Sequence, residues 1–276
     1  MAKKRKKKQP NNALAVVITV LAAVLFVLLA GLALYACFGQ AAPEAPATEP
    51  PAPTEETAEP NERDPEDFYM EDGVLRYPGA ALGVDVSTHQ GLIDWEQVRD
   101  AGVTFAIIRA GYRGSTKGQL YADELFRENL NGAKNAGLQV GVYFFSQALT
   151  VKEAAEEAAF VLELLDGEPL ALPVYYDWEQ IAGESRIENP GALPLTDCAE
   201  AFCEAVRLQG YTPGVYFNQD QGYAYLDFVR LQKYELWLAE YGDHPTFRYR
   251  YDCLQYTDAG RLPGIETTVD MDLIFR

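Results

Sequence analysis

Histidine is nearly absent from this sequence: His89 and His244 are the only two. No serine–histidine arrangement is present, which argues against acyl-transfer chemistry of the triad kind. Cysteine is scarce too, with four residues in 276 and no C-x-x-C. That excludes a disulfide scaffold and a zinc site of the usual spacing. Cys198 and Cys203 are five apart in a helical segment, on poorly matched faces. A bridge from either to Cys253 is left open, and one thiol stays free in any case. No metal and no cofactor is expected. Basic residues are scarce beyond the N-terminal tip. Residues 1–12 (MAKKRKKKQPNN) hold six of the 23 Lys and Arg, leaving 17 against 41 Asp and Glu. So acidic a body excludes nucleic acid as a partner, because phosphate binding needs a basic face.

Charge is missing altogether from Ala13 to Phe38, a run of 26 residues. About 20 apolar residues span a bilayer as a helix, whereas the apolar core of a signal peptide is usually 7–15. The basic flank places the N-terminus in the cytoplasm. Residues 13–38 are therefore expected to be a single-pass anchor, with 1–12 as a cytoplasmic tip and the body outside the cell membrane. The alternatives are a leader cleaved near Gln40–Ala42, giving a secreted protein, and lipidation at Cys37, for which the bulky Tyr35 is a poor fit. All three export the body.

Large apolar residues are few between residues 39 and 74, which are rich in Pro, Ala, Glu and Thr. Such a stretch cannot bury enough surface to offset its ordering entropy, and proline and like charges keep it extended. It reads as a tether. From residue 75 to 276 short apolar runs alternate with amphipathic segments. Strands are expected at Leu82–Ser87, Phe105–Tyr112, Gln139–Gln147, Leu172–Glu179, Pro213–Asn218, Leu236–Tyr241, Cys253–Tyr256 and Thr268–Phe275. Helices are expected at Asp94–Ala101, Ala122–Ala136, Val151–Leu165 and Thr196–Gln209, with Asp94 and Thr196 as N-caps. Alternating strands and helices imply parallel pairing and an α/β fold. Eight strands in about 200 residues suggest an irregular (β/α)8-like, TIM-type barrel with its helices reduced after strand five.

The chemistry should lie at the C-terminal ends of those strands. The stretch V-Y-Y-D-W-E, Val174–Glu179, ends a buried strand in two carboxylates. Side chains two apart on a strand share a face, so Asp177 and Glu179 stand roughly 6.5–7 Å apart at Cα. Repulsion raises one pKa, and an acid kept neutral beside an ionised partner can act as a general acid. Asp85 sits in an apolar strand, where a lone carboxylate is costly. Strand eight adds Asp270 and Asp272. Arg109, Tyr143, Tyr216, Trp237 and Gln255 complete a set of candidate substrate contacts. Acids with aromatic walls suit glycoside hydrolysis. Other polar residues have plainer roles: Asp123 and Glu153 to Glu157 read as helix-surface charges, Trp95 as core, and His89 as a wall residue near a turn.

Four segments together carry a family resemblance. G-V-D-V-S-T-H-Q-G-L-I-D-W (Gly83–Trp95), V-Y-Y-D-W-E, L-W-L-A-E-Y (Leu236–Tyr241) and Q-Y-T-D-A-G-R-L-P-G-I-E-T-T-V-D-M-D (Gln255–Asp272) resemble, in order and spacing, the glycoside hydrolase family 25 lysozymes. The likeness covers roughly residues 80–276. It implies a modified barrel with an acidic groove, monomeric as a catalytic domain. The implied reaction is cleavage of the β-1,4 bond between N-acetylmuramic acid and N-acetylglucosamine in peptidoglycan. By the family's motif Glu179 matches the proton donor. Asp177 matches the group that stabilises developing positive charge or orients the substrate's acetamido group. Asp85 and Asp270 match the acids of the first and last strands, and Tyr216 and Trp237 match groove residues that contact sugar. The close same-strand pair fits a retaining outcome better than an inverting one. Phe145 and Ser146 depart from the family's third strand, where Tyr and His-like residues are more usual. Two other functions compete. A glycan-binding module would have lost Glu179 or Asp177, which are both present. A chitinase-type enzyme would carry a D-x-x-D-x-D-x-E run, whereas L-P-V-Y-Y precedes the D-W-E here.

Overall fold

The computed structural model describes residues 57–275. The apolar span 13–38, and with it Cys37, lies outside the described residues; among those described, no helix is long and apolar enough to cross a membrane. A short hairpin, β1 (Tyr69–Glu71) and β2 (Val74–Arg76), precedes a barrel. The barrel strands are β3 (Ala81–Val86), β4 (Phe105–Arg113), β6 (Gln139–Ser146), β7 (Val174–Trp178), β8 (Pro213–Asn218), β9 (Glu235–Ala239), β10 (Cys253–Gly260) and β11 (Val269–Ile274). They pair in the order β3-β4-β6-β7-β8-β9-β10-β11, and β11 returns to β3 to close the ring. β5 (Leu120–Ala122) folds back on the end of β4 as a projecting hairpin. All eight strands expected from the sequence are present.

Their direction is not what alternation implied. The barrel strands β3, β4 and β6 to β10 run parallel, but β11 is antiparallel to both neighbours. Only residues 261–268 separate β10 from β11, and a parallel return needs a crossover of a dozen residues or more. The reversal matters for the site. Asp270 lies near the start of β11, not its end, and so stands at the same rim as the C-terminal ends of the other strands, directly across from Asp85.

The helices are α1 (Trp95–Asp100), α2 (Phe126–Asn135), α3 (Val151–Leu165), α4 (Leu195–Leu208), α5 (Gln219–Tyr225) and α6 (Phe228–Leu231). Asp94 caps α1 by accepting from the Gln97 amide, and Thr150 caps α3 through Glu153. The expected cap at Thr196 is not used. Thr196 lies inside α4, buried, and its hydroxyl accepts from the Asp227 amide at 3.1 Å. α2 starts four residues late because Ala122 completes β5 and Asp123 turns inward to an arginine.

Alternation along the strands divides two cores. Val84, Ile108, Val142, Tyr176 and Phe217 face the helices. Phe105, Ile107, Tyr143, Tyr175, Tyr216 and Trp237 fill the barrel. Small residues make room for these rings: a Cβ on Gly83 would stand 2.2 Å from the Phe105 ring. The three described cysteines are buried and free, so neither bridge forms. Much of the stretch assigned by composition to the tether packs against the barrel. Pro60 bridges Tyr249, Arg63 lies 3.9 Å over the Phe275 ring, and Phe68 is buried.

Candidate active site

The two carboxylates of V-Y-Y-D-W-E are placed by strand geometry. Tyr176 and Trp178 point outward, Tyr176 meeting the Phe202 ring of α4 at 5.3 Å. Tyr175 and Asp177 point into the barrel, and Glu179 follows one residue beyond the end of β7. Asp177 is 3% exposed, and its Oδ1 has no hydrogen-bond partner. Burial pushes its pKa well up, Glu179 adds to that, and Arg109 opposes it. Glu179 is pushed up from its ordinary value near 4.5 to about 7, by burial first and by Asp270 second. The sequence attributed the retained proton on Glu179 to repulsion from Asp177. In the structure desolvation is the larger cause, and Asp270 from the opposite wall is the charge that adds to it.

Asp85, Asp270 and Asp272 form a second acidic group where β3 meets β11. Asp270 is raised to about 6 by burial, then by Asp258, and hydrogen bonding with Asp85 opposes this. Asp85 and Asp272 are raised well above the carboxylate range, burial again leading. The amide of Gln255 organises the neighbourhood. Its Oε1 accepts from the hydroxyls of Tyr216 and Tyr241, each at 3.0 Å. Its Nε2 must then face the other way, and it donates to Asp85 Oδ2 at 2.8 Å. Below it Trp237 forms the floor, 1% exposed, in contact with the rings of Tyr143, Tyr175 and Tyr216. On the far wall Arg109 is held by Asp123 at 2.8 Å and lies 5.4 Å over the Tyr112 ring.

All nine candidate residues line one cleft of about 620 Å³: Asp85, Arg109, Tyr143, Asp177, Glu179, Tyr216, Trp237, Gln255 and Asp270. A second hollow of about 880 Å³ adjoins it and shares Glu179, Tyr216 and Tyr241. Glu179 therefore stands at the junction of a continuous groove. His89 also lines the cleft, as expected of a wall residue. Among the described residues no group of three or more His, Cys, Asp or Glu could hold a metal ion.

Three acids have roles that the sequence reading did not give them. Asp123 is no helix-surface charge. It is buried, binds Arg109 twice, and accepts from the amides of Thr88 and Leu125. Glu157 is fully buried, not exposed: α3 lays it against the barrel, where it pairs with Arg113 at 2.6 Å and accepts from Ser146 at 2.6 Å. Asp272 accepts from the Trp237 indole at 2.9 Å. Only Asp272 had a legible signal, its spacing of two from Asp270 on one strand face.

Comparison with known proteins agrees with this architecture. The family model described as Glycosyl hydrolases family 25 matches residues 84–265. An "Autolytic lysozyme" of Clostridium acetobutylicum is 27% identical over 197 residues, which is 69% of this chain and 54% of that protein. "Lysozyme M1" of Streptomyces globisporus is 43% identical over 65 residues, 24% of this chain and 20% of that one. The chain thus spans about half the length, or less, of these curated relatives. Among solved structures, a family 25 glycosyl hydrolase from Bacillus anthracis superposes with a TM-score of 0.61 at 21% identity, covering 76% of this chain and 93% of that one. The modular autolysin LytC from Streptococcus pneumoniae, in complex with a synthetic peptidoglycan ligand, gives 0.62 at 23% identity, covering 75% and 52%. These two share the barrel. With two thirds of its length matched by the family model, the chain belongs to glycosyl hydrolases family 25.

Proposed function

We propose that this protein is a muramidase that hydrolyses the β-1,4 bond between N-acetylmuramic acid and N-acetylglucosamine in peptidoglycan. One observation carries the reading: Glu179, lifted to about 7 by burial and Asp270, stands at the junction of an open groove with Asp177 on the same strand face. The curated relatives named as lysozymes, and the peptidoglycan ligand in the LytC structure, support this substrate class.

Glu179 protonates the glycosidic oxygen as the bond to the departing sugar breaks. Positive charge develops on the ring left behind. Asp177, buried and without a partner on Oδ1, stabilises that charge or accepts from the substrate's acetamido N–H. After departure Glu179 is a carboxylate and takes the proton of the incoming water. Asp85 and Asp270 hold the acidic field of the groove, and Arg109 limits it from the opposite wall. Tyr143, Tyr216, Trp237 and Gln255 shape the floor on which the sugar rests. Residues 13–38 anchor the enzyme in the cell membrane, with the barrel facing the wall; secretion after leader cleavage is the alternative.

The test uses the full chain in a mild detergent. It should release reducing ends from peptidoglycan, with muropeptides ending in N-acetylmuramic acid, and Glu179→Gln should abolish release. A wild-type protein that binds peptidoglycan without cleaving any preparation, including de-O-acetylated material, would replace the enzyme reading with a binding one. Fractionation tests the anchor: a shortened protein in the medium would favour the cleaved leader.

A further inference from the structure

The segment between Glu179 and α4, residues 180–194, has no regular structure except a single turn at Pro190–Ala192. Its first residues, Gln180 to Ala182, wall the second hollow beside Glu179. Such a loop would ordinarily sway and take the wall of the site with it. Ile187 and Leu193 pack against the core, and a polar clamp forms around Arg186. Arg186 makes a two-pronged pair with Glu153 of α3, at 2.7 and 3.1 Å. The same guanidinium donates to the backbone carbonyl of Gln147 at 2.9 Å. Its own amide donates to the Ser115 carbonyl on the β4–β5 turn, and the Ser115 hydroxyl donates back to the Glu184 carbonyl. Gly118 lies so close that a Cβ there would be 2.6 Å from the guanidinium. The pair is only 21% and 22% exposed, so it is shielded from water far better than an ordinary surface ion pair.

Gln147 links this clamp to the catalytic strand. It is 1% exposed, and its Nε2 donates to the backbone carbonyl of Glu179 at 2.7 Å. An unbroken path therefore runs from Glu153 through Arg186 and Gln147 to Glu179, the residue whose side chain faces the groove.

We propose that Arg186 and Gln147 are positioning residues for Glu179, the clamp fixing both the backbone of the catalytic acid and the loop that walls the hollow beside it. This rests on the assignment of Glu179 as proton donor. Neither residue touches the groove's reacting centre; both act through Glu179. Misplacing a reacting group by about 1 Å can cost about a hundredfold in rate, so loosening the clamp should lower kcat more than it raises KM. It should also admit water to the Glu179 carboxyl. The other groups facing that carboxyl, namely Asp177, Asp270, Tyr216 and Tyr241, stay in place. Hydration then moves its pKa down from about 7.

The test compares Arg186→Ala, Arg186→Lys and Gln147→Met with wild type, all as the full chain in mild detergent on peptidoglycan. Arg186→Ala and Gln147→Met should each lose about tenfold or more in kcat with KM changed less than threefold. The basic limb of their kcat/KM profiles should move to lower pH. Arg186→Lys, which keeps a donor, should recover part of both effects. Activity that falls only in step with thermal stability, with the basic limb unmoved, would overturn the proposal. Titration of the Glu179 carboxyl by carbon-13 NMR needs no turnover. An inactive wild type would sink the muramidase reading, and the titration would still judge the clamp: a downward shift in both variants supports it, and no shift overturns it.

Discussion

The indole N–H of Trp237 donates to Asp272 Oδ1 at 2.9 Å, and neither residue is more than 1% exposed. The bond reaches from β9 past β10 to β11, and it joins the aromatic floor of the groove to the acidic cluster above it. Burial raises this carboxyl well above its ordinary range, Asp270 adds to that, and hydrogen bonding with the Trp237 indole and with Asp85 opposes it. A neutral acid is what the arrangement favours, because an unpaired buried charge costs much more than an unpaired dipole.

Asp272→Asn keeps the acceptor for the Trp237 indole and, like the neutral acid, carries no charge. Its melting temperature should stay close to that of wild type. Asp272→Ala leaves the Trp237 N–H buried and unpaired and should cost about 1–3 kcal/mol. Denaturant unfolding of the two variants checks this; equal losses would show that the carboxyl carries charge in the fold.

Activity should decline as pH rises through about 7, the value to which burial and Asp270 lift Glu179. The proton donor is the protonated form, so the loss lies on the basic side. Asp270→Asn removes the second of those causes and should draw the basic limb to lower pH. A pH profile of kcat/KM measures both effects.

Stability should fall over the same range. Glu179 and Asp270 have folded-state values of about 7 and about 6, above their ordinary 4.5 and 3.8. Between those limits the native state binds more protons than the unfolded chain, so stability is greatest below the lower values and is lost as pH rises through the upper ones. Glu179→Gln has no proton to lose. It should match wild type near pH 4 and become the more stable protein by pH 8, by about 1–3 kcal/mol. Thermal unfolding from pH 4 to 8 would show it, and parallel curves would refute it.

Breaking the buried Arg113–Glu157 pair should be among the more damaging single changes outside the groove. Both side chains are at most 4% exposed, and the pair lies 2.6 Å apart. Glu157→Ala leaves the buried guanidinium only the longer pair with Glu156 at 3.6 Å and should cost about 3 kcal/mol. Arg113 also donates to the carbonyls of Gly118 and Glu153, which border the Arg186 clamp, so the effect should reach the loop after Glu179. Unfolding curves and hydrogen exchange across residues 180–194 test the two parts.

Local chemistry determined much of this protein. The eight strands, the cap at Asp94 and the face shared by Asp177 and Glu179 follow from apolar runs, turn residues and a side-chain period of two. These signals are short-range, so a sequence displays them directly. The family motifs brought Asp85 and Asp270 to the same groove without any view of their contacts. What the chain could not display depends on which residues meet across the barrel. A short return reversed β11 and set Asp270 opposite Asp85. Packing of α3 onto the sheet turned Glu157 from a surface acid into a buried partner, and the same closure drew Asp123 inward to Arg109. The proton on Glu179 followed the same rule. Two adjacent acids are visible in V-Y-Y-D-W-E, but the low dielectric that raises Glu179 comes from distant walls that only tertiary structure assembles.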